Sequence, residues 1–240
     1  MTTIVRVEHI LWVTLLSAGP ALHAQSGPSS PPPTVPTVTF TLEWPSREPH
    51  RYLIAVDSGG SAVYRSWTTD PEGEASSADD PYLRKFALQA ATRDRIFALA
   101  RQLNYFNGDF EYHKHRVAFT GDKTLAYSDP EKRYETRYNW SENAGISELT
   151  TLFEGISTTI ESGRRLERLY RFDRLGLDEE LKNLERLTTE HQATELQLIA
   201  PILERLASDA GVLNIARQRA RHLLQMAGAP SAGDNQPAHQ

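Results

Sequence analysis

From residue 37 to residue 140 apolar side chains recur at every second position, the spacing that lines one face of a β-strand. Val38, Phe40, Leu42 and Trp44 alternate with Thr39, Thr41 and Glu43, which predicts a half-buried strand. Tyr52 to Asp57 and Ala62 to Trp67 are two more β-prone runs. Ser58-Gly59-Gly60-Ser61 joins them, and its glycines admit the positive φ of a tight hairpin. Tyr82 to Gln89 reads as a further strand. Val117 to Phe119 and Thr124 to Tyr127 flank Thr120-Gly121-Asp122-Lys123, a second hairpin signal. Arg133 to Trp140 alternates again, through Tyr134, Thr136, Tyr138 and Trp140. One helix interrupts the strands, from Arg93 to about Leu103, with Ile96, Leu99, Ala100 and Leu103 inward. Thr92 is its expected cap, and Asp94 in the first turn suits the helix dipole.

After Ser141 the period becomes that of a helix. Ile146, Leu149, Leu152, Phe153, Ile156, Ile160, Leu166, Leu169 and Tyr170 fall on one broad face, with Gly163 as the candidate interruption. A second helix starts near Asp178, with Asp178, Glu179 and Glu180 at its positive end and Leu181, Leu184 and Leu187 inward. Pro201 forces a break or restart, after which Ile202, Leu203 and Leu206 continue the pattern. A last amphipathic helix, Val212 to Leu224, buries Val212, Ile215, Ala216, Ala220, Leu223 and Leu224. The expected fold class is α+β. Residues 37–140 form an N-terminal antiparallel sheet of about six strands with one packed helix. Residues 141–225 form three to four helices packed on that sheet, and 226–240 are expected to be a disordered tail.

The chain's start changes the picture more than its composition does. Ile10 to Ala24 (ILWVTLLSAGPALHA) has the length of a signal-peptide apolar region, then Gly19 and Pro20, then small residues before a cut after Ala24. It is too short to span a bilayer, which needs about 20 apolar residues. Residues 1–24 are therefore read as a signal peptide and 25–36 (QSGPSSPPPTVP) as an extended linker. The expected location is exported, periplasmic or secreted, with no membrane span in the mature protein. There is no cysteine, so disulfides, thiolate metal sites, thiol chemistry and a lipid anchor on a terminal cysteine are excluded. The formal charge of −5 argues against a nucleic-acid partner.

The richest candidate chemistry is Asp109-Phe110-Glu111-Tyr112-His113-Lys114-His115. On an extended strand Asp109, Glu111, His113 and His115 project from one face, a donor set for a divalent metal or for acid–base work. The same register carries Val117 and Phe119 on that face. The competing reading is a solvated loop, with Phe110 and Tyr112 packing on the sheet. Thr68 to Pro81 carries five carboxylates but lacks the spacing and central glycine of a calcium loop. Gly-x-Ser-x-Gly, Ser-x-x-Lys and His-Glu-x-x-His are absent. Gly121-Asp122-Lys123-Thr124 imitates the end of a phosphate-binding loop, yet Arg116 stands where the first glycine belongs. Arg164, Arg168 and Arg171 make a basic stripe, interleaved with the helical pairs Glu161–Arg165 and Glu167–Arg171. Arg217, Arg219, Arg221 and His222 decorate the last helix in the same way. Tyr105, Phe106, Phe110, Tyr112 and Trp140 suit either a core or a sugar-stacking surface. Asn139-Trp140-Ser141 fits a glycosylation sequon.

The stretch LNYFNGDFEYHKHRVAFTGDKTLAYSDP, the following YNWSEN before a long helix, and LNIARQRARHLL together resemble exported bacterial proteins that carry no assigned activity. That resemblance, over roughly Thr37 to Leu224, implies an export route and a fold and brings no catalytic residue with it. The sequence therefore supports two functional expectations. One is a non-enzymatic extracytoplasmic binding or interaction module, whose partner is another extracytoplasmic protein or an envelope component. The other is a metal-assisted hydrolase using His113, His115 and a carboxylate from Asp109 or Glu111.

Overall fold

The computed structural model describes residues 35–68 and 81–228. The expected signal peptide, the linker up to residue 34, most of the acidic stretch and residues 229–240 of the expected tail lie outside the described residues, while Met226 to Gly228, also expected in that tail, are helical. The strands are β1 (Thr37–Glu43), β2 (Arg51–Asp57), β3 (Ser61–Trp67), β4 (Tyr82–Ala87), β5 (Asp122–Ser128) and β6 (Arg133–Tyr138). They pair antiparallel throughout, in the order β4-β3-β2-β1-β5-β6. The helices are α1 (Ala90–Gln102), α2 (Ala144–Phe172), α3 (Leu177–Thr189), α4 (Ala200–Ser208) and α5 (Asn214–Gly228). This is the α+β arrangement expected, with one helix among the strands and four after them. Among the described residues no helix is long and apolar enough to cross a membrane.

β1 lies inside the sheet because its inward positions are all large and apolar. Val38, Phe40 and Leu42 are fully buried and sit beside Val56, Ile54 and Tyr52 of β2. α1 and the first half of α2 cover that face, with Phe153 stacked on Phe40 at a ring-centroid distance of 5.2 Å. The second half of α2 builds a separate core with α3, α4 and α5 around Leu166, Leu181, Leu203 and Leu223. One helix thus belongs to both hydrophobic clusters, so burial on either side stabilises the same rod.

The glycine hairpin forms as expected. Gly60 takes a φ of +90°, and Asp57 accepts bonds from the backbone of Gly60 and Ser61. Pro36, expected to end the linker, already accepts a bond from the Ser58 amide at 2.8 Å.

Four local expectations are corrected. Residues 117–119 are not a strand and Thr120–Lys123 is not a hairpin, because side chains satisfy this backbone instead. Asn139 accepts from the Thr120 amide and donates to the Ala118 carbonyl, while the Lys123 ammonium bonds the carbonyls of Thr120, Gly121 and Asn139. The β5–β6 turn is made by Asp129, whose carboxylate accepts the amides of Glu131 and Lys132. Thr92 does not cap α1, which begins two residues earlier. Gly163 does not interrupt α2; its missing side chain lets Ile199 approach, where a Cβ would meet Ile199 Cγ2 at 2.4 Å. Ile215 is half exposed rather than buried, since α5 runs from Asn214 to Gly228 and turns Ala216, Ala220 and Leu223 inward. Pro201 occupies the first turn of α4, where its missing N–H costs nothing.

Candidate functional site

A groove of about 610 Å³ opens where the connection between β1 and β2 meets the middle of α2 and the end of α3. Its volume is in the range of small-ligand sites. The strand alternation that builds the core also brings Tyr52 and Tyr64 to the α2 side of the sheet, with ring centroids 5.9 Å apart. α2 meets them with Glu154, Ser157 and Glu161, spaced by about one helical turn.

The two tyrosines are treated differently. Tyr64 donates to Glu161 Oε1 at 2.8 Å, and Ser66 donates to the same oxygen at 2.8 Å. A phenol has one hydrogen to give, so the 3.1 Å contact between Tyr64 and Ser157 is a donation from Ser157. The result is a buried chain, Ser157 to Tyr64 to Glu161, with Arg164 3.6 Å from the other carboxylate oxygen. Burial pushes the Tyr64 pKa well up, and the Glu161 charge adds to it.

Tyr52 is 2% exposed, and its hydroxyl has no protein partner in hydrogen-bonding geometry. Ser157 lies close to it as well, but the Ser157 bond goes to Tyr64. Burial first, and the Glu154 charge second, raise the Tyr52 pKa well above its usual value, while Arg47 acts against them. Glu154, Arg47 and Ser157, which bear on this hydroxyl, all line the groove. Glu154 is itself lightly engaged, with Arg47 3.9 Å away, beyond hydrogen-bonding distance. Arg165 turns from the groove to Glu180 at 3.0 Å and Ser162 at 3.0 Å.

Glu161 and Arg165 line the groove, and the other candidate residues of the sequence lie elsewhere. Residues 109–115 form no strand, so the expected one-faced register is not adopted. Asp109 and His113 come together, with 2.9 Å between Oδ2 and Nε2 on the exposed surface. That contact and the Glu111 amide hold the Asp109 pKa below the usual carboxylate range. Glu111 turns away to accept the Asn139 amide at 2.5 Å, and His115 packs edge-on to Tyr112. Among the described residues no three His, Asp or Glu side chains gather in a metal-holding group. The aromatic set divides: Phe106 is buried, Tyr105 packs on Tyr127, and Tyr112 meets Trp140 edge-on, leaving Trp140 42% exposed. Asn139 of the sequon spends its amide on Thr120 and Ala118.

Of the basic stripe, Arg164 lies over Tyr82 and beside Glu161, not on an open face. On α5, Arg219 is clamped by Asp178 and Glu185, and His222 also contacts Glu185.

Spacing and motif do not single out Tyr52 or Ser157, and they give Glu161 only as the helical partner of Arg165, which bonds Glu180 instead. One signal was present: Ser157 and Glu161 stand four apart among the apolar positions of α2, where polar residues need partners. No protein-family model matches the chain, and no curated protein matches it.

Proposed function

We propose that the protein is an extracytoplasmic binding module whose ligand occupies the groove between the β1–β2 connection, α2 and the end of α3. The observation that carries this reading is Tyr52, a buried hydroxyl with no protein partner at the edge of a groove of ligand size. A buried polar group left unsatisfied costs about 1–3 kcal/mol, and a bound partner would recover that cost. Binding is also the chemistry these groups offer. Burial keeps both phenols neutral, which makes them hydrogen-bonding groups rather than bases. The deepest carboxylate, Glu161, already accepts two hydroxyl bonds on one oxygen. The apolar stretch at residues 10–24 and the proline-rich segment after it support an exported location. They support a partner among extracytoplasmic proteins or envelope components.

A photo-crosslinking side chain at Thr151, on the groove's exposed rim, tests this in the protein's own envelope or secreted fraction. The expected result is a specific adduct that is absent when the same group replaces Glu204 on α4. Equal labelling from both positions would refute the reading. The alternative, a metal-assisted hydrolase at 109–115, has one carboxylate–imidazole contact in its favour, Asp109 with His113. A metal retained through purification and lost in the H113A/H115A double variant would favour it over the groove.

A further inference from the structure

Resting on the groove as the binding site, we propose that it takes a primary ammonium or guanidinium group, seated between the Glu154 carboxylate and the Tyr52 hydroxyl. Arg47 is the intramolecular cation that this group displaces.

Three observations converge on a cation. The groove is lined by four glutamates, Glu48, Glu154, Glu161 and Glu190, against two arginines, Arg47 and Arg165, with His191. Two of these carboxylates are already matched, Glu190 by Arg186 and Glu161 by Arg164, whereas the ion contact of Glu154 is the 3.9 Å one with Arg47. Of the two arginines, Arg165 is held outward by Glu180 and Ser162, so its charge is already matched.

The acceptors, by contrast, have capacity to spare. Glu154 makes a 3.9 Å ion contact with Arg47 and is 31% exposed. Tyr52 has no protein partner, and a neutral phenol offers its lone pairs to an N–H donor. The Glu154 carboxylate and Tyr52 both line the groove. One ammonium, with three donors, or one guanidinium, with five in a planar fork, can serve both.

Arg47 already imitates such a ligand imperfectly. It sits on the connection between β1 and β2, is 41% exposed, and lies 5.7 Å from the Trp44 ring centroid as well as near Glu154. A loosely held cation over an underused carboxylate marks where a better-placed one would go. A Lys or Arg side chain of a partner polypeptide and a free alkylamine share this chemistry.

The test is titration of the purified chain with propylammonium, propylguanidinium, propionate and glycerol, followed by the amide resonances of Gly155, Ser157 and Thr158. The two cations are expected to shift these resonances saturably, and propionate and glycerol are not. E154Q is expected to weaken cation binding roughly tenfold, the loss of one charged partner. R47A is expected to tighten it several-fold by removing the competitor. The R47A sign separates this proposal from any in which Arg47 holds a ligand carboxylate.

Saturable binding of propionate at the same amides, or weaker cation binding in R47A, overturns the ligand class and leaves the groove intact. If none of the four compounds moves those amides, the groove reading itself fails. A short peptide bearing a central lysine or arginine distinguishes the sources. Tighter binding than propylammonium assigns a polypeptide and equal or weaker binding a free amine, and either supports the cation class.

Discussion

Tyr52 and Tyr64 are neighbours on the same sheet face, yet the same substitution at each should move stability in opposite directions. Tyr52→Phe deletes a buried hydroxyl that has no protein partner. Leaving such a group unsatisfied costs about 1–3 kcal/mol, and removing one oxygen opens only a small void. The expected net effect is stabilisation of about 1–2 kcal/mol. Tyr64→Phe deletes a hydroxyl that donates to the Glu161 carboxylate and accepts from Ser157. A hydrogen bond to a charged group contributes about 1.5–3 kcal/mol, and the buried carboxylate keeps Ser66 as its remaining hydroxyl donor. The expected effect is a loss of about 2–4 kcal/mol.

Urea denaturation of both variants, followed by tryptophan fluorescence, gives each difference from the shift in midpoint at unchanged slope. In thermal unfolding each kcal/mol should appear as about 2–4 °C for a chain of this size. A destabilised Tyr52→Phe, or two variants shifted in the same direction, would refute the reasoning that Tyr52 lacks a partner.

Two further outcomes follow from packing and ionisation. Gly163→Ala gains about 1 kcal/mol of helix propensity but drives a methyl group to 2.4 Å from Ile199 Cγ2. Ile199 is 1% exposed and has little room to retreat, so overpacking of about 1–3 kcal/mol should leave a net loss. Gly228→Ala, where a Cβ meets nothing within 4 Å, is the control and should stay within about 0.5 kcal/mol of the parent in the same urea assay. At high pH the fold should fail cooperatively. Burial raises the pKa values of Tyr52, Tyr64 and Tyr138, and that of Tyr127 to about 12. Unfolded tyrosines ionise near pH 10, so above that pH the unfolded state loses protons first and stability falls, by up to about 1.4 kcal/mol per pH unit for each tyrosine. Lys123 acts in the opposite direction between its lowered folded pKa and about pH 10.5, because the folded lysine gives up its proton while the unfolded one keeps it, so stability rises with pH there. Circular dichroism should therefore be lost above pH 10 together with a cooperative rise in tyrosinate absorbance; ionisation of all nine tyrosines while the circular dichroism stays native would contradict the burial of these four rings.

Local periodicity determined much of the architecture. The alternation through Val38, Phe40 and Leu42 and the glycines after Ser58 set strands and a hairpin, because a strand's period and a turn's φ requirements are properties of a few adjacent residues. The apolar spacing after Ser141 likewise specified helices, and the acidic residues Asp178 to Glu180 marked where α3 begins. Tertiary structure alone decided the rest. At the start of α1 no side chain at the Gln89 cap position bonds the helix; Glu195, 106 residues onward, accepts the Gln89 amide and also bonds Thr92. Glu195 holds a left-handed φ of +59° there, fixed by its surroundings rather than by its own preference. In the stretch expected to form a strand and hairpin, Asn139 takes the Ala118 carbonyl and the Thr120 amide and Lys123 takes the Thr120 and Gly121 carbonyls, which local spacing cannot anticipate. The groove has the same origin. In the sequence Tyr52 and Tyr64 are members of β-prone runs, and Glu161 is the helical partner of Arg165. Only when α2 lies across the sheet does one tyrosine gain partners and the other go without, because a side chain's partners are set by what folds against it.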